Sequence, residues 1–241
     1  MQIPMLCTYC CESGLDGSKS VSNVELNDDG KYKLICQNGH SSIVILNHQK
    51  FQILFEIGIN AIIDGYYREA VSSFTSSLER FYEFFSKVMC ITRGIEWTVI
   101  KDTWKSVSHQ SERQLGAFIF LHLLEIGNKP ELLHKKNIEF RNAVIHKGKI
   151  PSREEAVEYG QAVLNFIRPL LISLRVNYEH GTDQLIRRNL RENRGTEDQG
   201  MRVVSITESL ILSLDITDPD YYKVSLNEAI NNTKSYRPKS R

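Results

Sequence analysis

The stretch DGYYREAVSSFTSSLERFYEFF, residues 64–85, decides the fold class. After Asp64-Gly65, apolar residues recur at steps of three and four, which is the spacing of one face of an α-helix. We predict a helix over residues 66–91, because this face continues through Ala70, Phe74, Leu78, Phe81, Phe85 and Val88. A helix with such a face packs against other helices. The sequence therefore predicts an all-α bundle.

Helical spacing continues on both sides of this stretch, so the predicted bundle covers residues 47–180. A preceding helix has an apolar face made of Phe51, Leu54, Phe55, Ile59 and Ile62. Further helices are predicted over residues 97–107, 111–126 and 130–146, and Gly148 ends the last of these. Ser152 and Glu155 fit a capping box, which predicts the start of a helix that continues to about Arg175.

Four residues near the N-terminus have the spacing of metal ligands. Cys7 and Cys10 form a C-x2-C pair, and Cys36 and His40 form a C-x3-H pair in the string CQNGH. Together they supply the four nitrogen and sulfur ligands that zinc prefers in closed sites. We predict one structural Zn²⁺ at these four residues and no cofactor for catalysis. Two alternatives stay open: Cys11 replaces Cys10 as a ligand, or the four groups are unrelated.

The segment between the two ligand pairs is typical of β-structure. Residues 24–35 alternate in character on both sides of Asp28-Asp29-Gly30, which predicts a hairpin closed by that turn. The segment SSIVILN after His40 predicts a third strand. We interpret residues 1–46 as a zinc ribbon. The predicted fold class is thus mainly α, a helical bundle with a small N-terminal β zinc ribbon.

Composition excludes several classes of protein. Thirty Lys and Arg against 29 Asp and Glu give a net charge of +1, which excludes the uniformly cationic surface of a chromatin-type binder. Apolar stretches fall short of the ~20 residues of a membrane span, and the N-terminus does not resemble a secretory signal. We expect a cytoplasmic protein with no membrane partner.

The last segment, residues 181–241, stays unassigned beyond partial helix. It contains a basic cluster, which we interpret as a solvated helix face in preference to an RNA contact. The cluster comprises Arg187, Arg188, Arg191 and Arg194.

The string KKNIEFRNAVIHKGK, residues 135–149, contains the candidate chemistry. Arg141 and His146 form an Arg-x4-His arrangement, and Asn142 follows the arginine directly. The spacing alone is weak, since Arg175 and His180 match it as well. The surroundings separate the two matches, because residues 135–153 contain six basic residues and one acid, a charge of +5 in a nearly neutral protein.

Residues 50–175 resemble the HEPN superfamily. The resemblance rests on the R-N-x3-H motif at residues 141–146, the IEF before it, the glycine and PSREEA after it, and the upstream helix quoted above. It implies a metal-independent endoribonuclease that acts as a homodimer, often in toxin–antitoxin systems or antiviral defence. An antitoxin or a defence protein would then be a partner. The superfamily also contains members that only bind nucleotides or partner proteins.

The motif residues suit this chemistry. Cleavage of RNA without a metal requires a group that transfers a proton and a cation that stabilises charge on the phosphate. Imidazole exchanges protons near neutral pH, and guanidinium binds two phosphate oxygens at once. We expect His146 to act as acid or base and Arg141 to hold the phosphate. Asn142 would orient the imidazole or the phosphate. The expected product is a 2′,3′-cyclic phosphate.

Helix geometry predicts how the site is assembled. Residues five positions apart point about 140° away from each other, whereas Asn142 and His146 share one face. Arg141 therefore approaches from the flank, which favours a site completed by a second copy across a two-fold axis. Glu79 is interpreted as a surface carboxylate. The residues expected to bind RNA are Lys135, Lys136, Lys147 and Lys149.

A non-catalytic interaction module is the alternative. Its helical bundle would dimerise, and its zinc ribbon would dock a partner protein or a nucleic acid. His146 would then serve only as a favourable cation at a helix C-terminus. The two interpretations differ in whether Arg141 and His146 line an open basic cleft or a packed interface.

Overall fold

The chain divides into two compact units. A β unit comprises Met1–His48 and Ile186–Glu208, and a helical unit comprises Gln49–Leu185 and Ser209–Arg241. The computed structural model describes residues 2–14, 20–194, 201–207, 210–214 and 221–236 of these units. The chain is mainly helical with small β-sheets, which confirms the predicted fold class at this level. Within the described residues, no helix is both long and apolar enough to cross a bilayer.

The first sheet of the β unit has two strands. Strand β1, Gln2–Leu6, pairs antiparallel with β2, Val21–Glu25. The short helix α1, Thr8–Glu12, follows β1 directly and contains Cys10 and Cys11. The C-x2-C pair therefore lies at the junction of a strand and one helical turn.

The second sheet has three strands. Strand β3, Lys31–Ile35, pairs antiparallel with β4, Ser41–Leu46, which is the predicted third strand. Strand β5, Arg202–Ile206, then pairs parallel to β4, with Val44 opposite Val204. A segment that the sequence left unassigned thus completes the sheet.

The predicted hairpin over residues 24–35 is wrong, because β2 pairs with β1 and β3 pairs with β4. The side chain of Asn27 explains the difference. Its Oδ1 accepts a hydrogen bond from the Gly30 N–H at 2.9 Å, and its Nδ2 donates to the Lys31 carbonyl at 3.1 Å. These local bonds replace the ladder that a hairpin would form here, so the turn connects two different sheets.

The core of the β unit is small and rich in sulfur. Three of its buried residues are Cys7, Cys10 and Cys36. The remaining buried members are Met5, Tyr32, Leu34, Val44 and Leu46. Few apolar side chains are therefore available to stabilise this unit by burial alone.

Helices build the second unit around one central element. This central helix, Tyr67–Thr92, packs against five others of the unit: Lys50–Ile63, Trp97–Val107, Ser111–Ile126, Lys135–His146 and Arg153–Asn177. In chain order the helices are α2 Lys50–Ile63, α3 Tyr67–Thr92, α4 Trp97–Val107, α5 Ser111–Ile126, α6 Lys135–His146, α7 Arg153–Asn177, α8 Glu179–Arg194 and α9 Leu226–Tyr236. Helix α8 begins in the helical unit, and its residues from Ile186 onward belong to the β unit.

Aromatic side chains of α3 fill the core of the helical unit. Phe74 is completely buried, and its ring lies 4.7 Å from that of Phe55. A methyl group added at Gly58 of α2 would lie 2.5 Å from the Phe74 ring, and one added at Gly160 of α7 would lie 2.6 Å from it. Both glycines therefore create space for this ring between their helices.

Two helix starts test the sequence signals. The capping box at Ser152 is present, with the Glu155 N–H donating to Ser152 Oγ at 3.2 Å and the Ser152 N–H donating to Glu155 Oε2 at 2.9 Å. The predicted start at Pro130 is wrong, because α6 begins at Lys135. The ring of His134 accepts a hydrogen bond from the Lys136 N–H at 3.2 Å and caps the helix there.

Candidate active site and metal centre

The four predicted metal ligands meet in the β unit. The ligand atoms of Cys7, Cys10, Cys36 and His40 all lie within 4.8 Å of one another. The Cys10 and Cys36 sulfurs are 3.7 Å apart, and His40 Nδ1 lies 3.3 Å from Cys10 Sγ. The same nitrogen lies 3.8 Å from Cys7 Sγ and 3.6 Å from Cys36 Sγ. The predicted grouping is confirmed as a cluster able to hold a metal ion.

Cys10, and not Cys11, belongs to this cluster. Cys10 is buried, whereas Cys11 is exposed to solvent. The one-turn helix α1 rotates neighbouring side chains about 100° apart, so only one of the two can face the centre. The Asn38 side chain supports this choice, because its Nδ2 donates to Cys10 Sγ at 3.2 Å.

Groups of the cluster shift the pKa values of two of its cysteines in opposite directions. Burial raises the pKa of Cys36, but hydrogen bonds from the backbone of His40 and Asn38 and from the Cys10 and Cys7 thiols outweigh it and lower the pKa to about 7. The pKa of Cys10 shifts in the opposite direction. The Asn38 hydrogen bond lowers the pKa of Cys10, but burial and its two cysteine neighbours together raise it above its usual value.

A stack of side chains covers the His40 ligand. The Tyr9 ring lies 5.4 Å from the His40 ring, and the guanidinium of Arg202, on β5, lies 5.0 Å from the Tyr9 ring. Arg202 also forms a bidentate ion pair with Glu12 at the end of α1. The candidate metal ligands are thus supported by a strand far away in sequence.

The Arg-Asn-x3-His motif lies on α6, as predicted by its position before Gly148. Arg141 and Asn142 are half-buried, whereas His146 is exposed in the last turn. Gly148 has a positive φ of 72°, and the Lys149 N–H returns to the Ala143 carbonyl at 3.0 Å. The helix therefore ends directly behind His146 and leaves its imidazole open to solvent.

Arg141 lines a pocket of about 80 Å³ in the helical unit. Helices α3, α5, α6 and α7 contribute to the pocket, together with Leu132 and Leu133 from the segment before α6. Its charged or phenolic lining residues are Glu79, Tyr82, Glu112, Arg141 and Tyr159. Neither Asn142 nor His146 lines this pocket. Within one chain, Arg141 therefore lines the pocket, whereas His146 faces solvent.

Glu79 is not the surface carboxylate that we expected, because it is half-buried and lines the pocket with Arg141. Burial raises the pKa of Glu79, while the charges of Arg80 and Arg141 partly oppose this shift. The sequence signal that could have identified it is position: Glu79 follows the buried Leu78 and precedes the buried Phe81 on the core face of α3.

Two phenols form the inner wall of the pocket. The Tyr159 hydroxyl lies 2.9 Å from Thr75 Oγ1. Burial raises the pKa of Tyr82 and of Tyr159, while the nearby charge of Arg141 opposes it. Both phenols are therefore protonated at neutral pH. The Tyr159 hydroxyl donates to Thr75 Oγ1, because the Thr75 hydroxyl itself donates to the Val71 carbonyl at 2.8 Å. Sequence reasoning missed both, since a tyrosine at helical spacing is typical of a core.

The predicted RNA-binding lysines are exposed or nearly so, and three of them have partners. Lys136 pairs with Glu158 at 2.8 Å, and Lys149 pairs with Glu155 at 2.5 Å. Lys135 lies 3.7 Å from Glu139 on the same helix. Lys147 is exposed next to His146. The basic character of the motif is thus partly balanced by carboxylates of the same chain.

Comparison with known proteins adds no relative. No family model, no curated protein and no solved structure matches the chain.

Proposed function

We propose that the protein is a metal-independent endoribonuclease of the HEPN type, which acts as a homodimer in antiviral defence or as a toxin. The observation that carries the proposal is the arrangement of α6: Arg141 lines the pocket between the helices, and His146 is exposed at the end of the same helix. A cation and a proton-transfer group thus lie five residues apart with different orientations. A second copy across a two-fold axis can unite them at one phosphate.

The reaction uses groups of the chain alone. A base removes the proton from the ribose 2′-OH, and this oxygen attacks the adjacent phosphorus. The bond to the 5′-oxygen breaks, which leaves a 2′,3′-cyclic phosphate and a 5′-OH end. His146 takes or supplies the proton, and Arg141 stabilises the negative charge on the phosphate oxygens. Asn142, on the His146 face of α6, orients the imidazole or the phosphate.

The ion-paired lysines support RNA binding. Exposed pairs such as Lys136–Glu158 contribute only about 0–1 kcal/mol, so a phosphate can replace the carboxylate at little cost. Lys147 and Lys149 follow His146 directly and would contact the backbone on either side of the cleaved bond. Lys135 would extend this contact from the other end of α6.

We also infer that the ion in the β unit is zinc. Tetrahedral bonds of about 2.3 Å to sulfur and about 2.0 Å to nitrogen separate two sulfurs by about 3.8 Å and a sulfur from a nitrogen by about 3.5 Å. The separations of 3.7 Å between Cys10 and Cys36, and of 3.3, 3.6 and 3.8 Å from His40 to the three sulfurs, fit this geometry. The site is closed, so the ion has a structural role.

The decisive experiment compares wild type with His146→Ala and Arg141→Ala, using purified protein and a labelled RNA in a buffer with EDTA. We expect wild type to cleave and both variants to lose at least about a hundredfold in rate, as general acid–base groups contribute 10²–10⁴-fold. His180→Ala is the matched control, because His180 is exposed and belongs to the other Arg-x4-His match. It should cleave like wild type. If EDTA removes the structural ion and activity with it, zinc and not magnesium should restore cleavage.

A mixing experiment tests the shared site. Arg141→Ala and His146→Ala homodimers each lack one role everywhere, but a heterodimer keeps one complete pair across the axis. Random exchange should restore about one quarter of the wild-type sites, since half of the dimers are mixed and each has one intact site of two. Failure to regain activity after proven subunit exchange would assign both residues to one chain. Absence of any cleavage, together with a tightly bound partner, would favour the interaction module.

A further inference from the structure

A row of arginines on the second half of α8 forms a charged surface within the β unit. Residues 186–194 contain four arginines and one glutamate, a net +3, whereas the whole chain has a net charge of +1. Arg187, Arg191 and Arg194 are spaced by four and three residues, so they lie on one face of the helix. All three side chains are exposed. We call these three residues the arginine stripe.

Carboxylates do not neutralise the centre of the stripe. Among the residues that the structure describes, none forms an ion pair with Arg187 or Arg191. Asp183 lies one turn before Arg187 but pairs with Arg175 at 2.8 Å. Glu192 follows Arg191 directly and projects about 100° away from it around the helix axis. The charge of these two guanidinium groups is therefore available to a ligand.

Strand β3 extends the positive surface at the C-terminal end of α8. Lys31 Nζ donates a hydrogen bond to the Arg194 carbonyl at 3.0 Å, which places a cation at the negative end of the helix dipole. A Cβ added at Gly30 would lie 3.3 Å from the Asn193 side chain, so the helix end contacts the turn before β3 closely. Lys33 is exposed two residues further along the same face of β3. Lys31 thus lies beside the last residue of the stripe, and Lys33 follows it on the same strand.

We propose that the arginine stripe, with Lys31 and Lys33, binds the phosphate backbone of RNA. The stripe spans about 10 Å along the helix, seven residues at ~1.5 Å each. A row of this length can contact more than one phosphate of a strand. Guanidinium groups bind phosphate oxygens in pairs, and a row of such groups follows a backbone without reading bases.

This inference rests on the proposed function only for the choice of RNA as the polymer. Its own content is a second RNA contact, in the β unit, separate from the motif on α6. The β unit would then hold RNA while the helical unit cleaves it. The tests of the two proposals can be kept apart by using RNA that is resistant to cleavage.

The test measures binding of a short single-stranded RNA with 2′-O-methyl riboses, which lacks the attacking hydroxyl. The variant is Arg187→Gln/Arg191→Gln, and the control is Arg68→Gln/Lys105→Gln, which removes two exposed charges of the helical unit. We expect the first variant to bind at least about fivefold more weakly at low salt. The slope of the logarithm of the binding constant against the logarithm of the salt concentration should become shallower by about 1.4. Each of the two lost contacts to a single strand contributes ~0.7 to this slope. The control should bind like wild type.

Two further arms identify what the stripe recognises. Arg187→Lys/Arg191→Lys keeps the charges and should retain most of the binding, which excludes a folding defect as the cause. Vesicles of phosphatidylserine test a membrane surface in place of RNA. Unchanged RNA affinity in the glutamine variant, or loss of vesicle binding without loss of RNA binding, would overturn the proposal. If this variant loses RNA while natural RNA is never cleaved, the stripe stands and the ribonuclease proposal fails.

Discussion

The cores of the β unit and the helical unit differ in composition. The core of the β unit contains three cysteines among eight buried residues, and its ligand atoms lie within 4.8 Å of one another. The core of the helical unit is made of many apolar side chains, among them the rings of Phe51, Phe74, Phe81 and Phe85, which are completely or almost completely buried. The difference teaches that one chain can combine a small core built around a candidate metal cluster with a large core built by apolar packing.

The largest expected effect comes from removal of the metal. Structural zinc contributes on the order of 10 kcal/mol of apparent binding free energy in small zinc domains, and the β unit has little apolar core to replace it. Chelation, or Cys36→Ser, should therefore unfold the β unit and leave the helical unit folded. Hydrogen exchange followed by mass spectrometry would show rapid exchange in residues 31–46 and protection in residues 67–92.

A control for this prediction is Cys11→Ser. Cys11 is exposed and lies outside the cluster, so this variant should keep wild-type metal content and exchange rates. Simultaneous loss of protection in both units after chelation would break the comparison, because it would make the helical core dependent on the metal.

The next effect concerns Phe74. Phe74→Ala removes a completely buried ring and should cost about 3–5 kcal/mol of unfolding free energy in the helical unit. Urea denaturation monitored by far-UV circular dichroism would measure it. Phe120→Ala is the matched control, since Phe120 is 68% exposed and should change the free energy by less than about 1 kcal/mol. Similar losses for both variants would contradict an aromatic core.

A smaller effect is expected for Gly160→Ala. It should lower the stability of the helical unit, although alanine favours a helix more than glycine does. Alanine normally stabilises a helix by about 1 kcal/mol relative to glycine. At Gly160 the new Cβ would lie 2.6 Å from the Phe74 ring and from Leu226 Cδ2, so Gly160→Ala should cost about 1–3 kcal/mol. Gly116→Ala on α5 has open space and should be stabilising, provided that thermal unfolding is compared under identical conditions. Stabilisation by both substitutions would show that the Phe74 ring moves aside.

The smallest effect concerns a helix cap. Ser152→Ala removes the acceptor for the Glu155 N–H at the start of α7 and should cost about 1 kcal/mol. Ser152→Asp should restore the cap and most of the free energy. The measurement is the urea midpoint of the helical unit. Equal stability of Ser152→Ala and wild type would mean that packing alone determines where α7 begins.

The helical unit was largely predictable because its signals are local. The apolar spacing that begins after Gly65 and the capping box at Ser152 each operate within a few turns of one helix. The predicted start of α6 lies five residues before the observed one. Pro130 suits the first turn of a helix, but His134 supplies the cap. The metal cluster was predictable since ligand type and spacing carry the information.

The pairing of the strands was less predictable. It depends on side-chain hydrogen bonds that compete with strand pairing and on residues that are far apart in sequence. The Asn27 side chain binds backbone groups that a hairpin would have used. Nothing near Val204 in the sequence indicates that it pairs with Val44. The role of Glu79 in the pocket was missed for a related reason, since the contacts around it come from helices that no local pattern places together.

The parallel pairing of β5 with β4 has a consequence for synthesis of the chain. Leu46 pairs with Ile206, and 160 positions separate the two residues. At about 5–20 residues per second, a ribosome needs roughly 8–32 s to add them. All four metal ligands have left the ribosome by then, so the nascent β unit can be ligated while β4 still has an open edge. Such an edge is a template for other strands, and the young protein is most exposed to aggregation or chaperone capture during this interval.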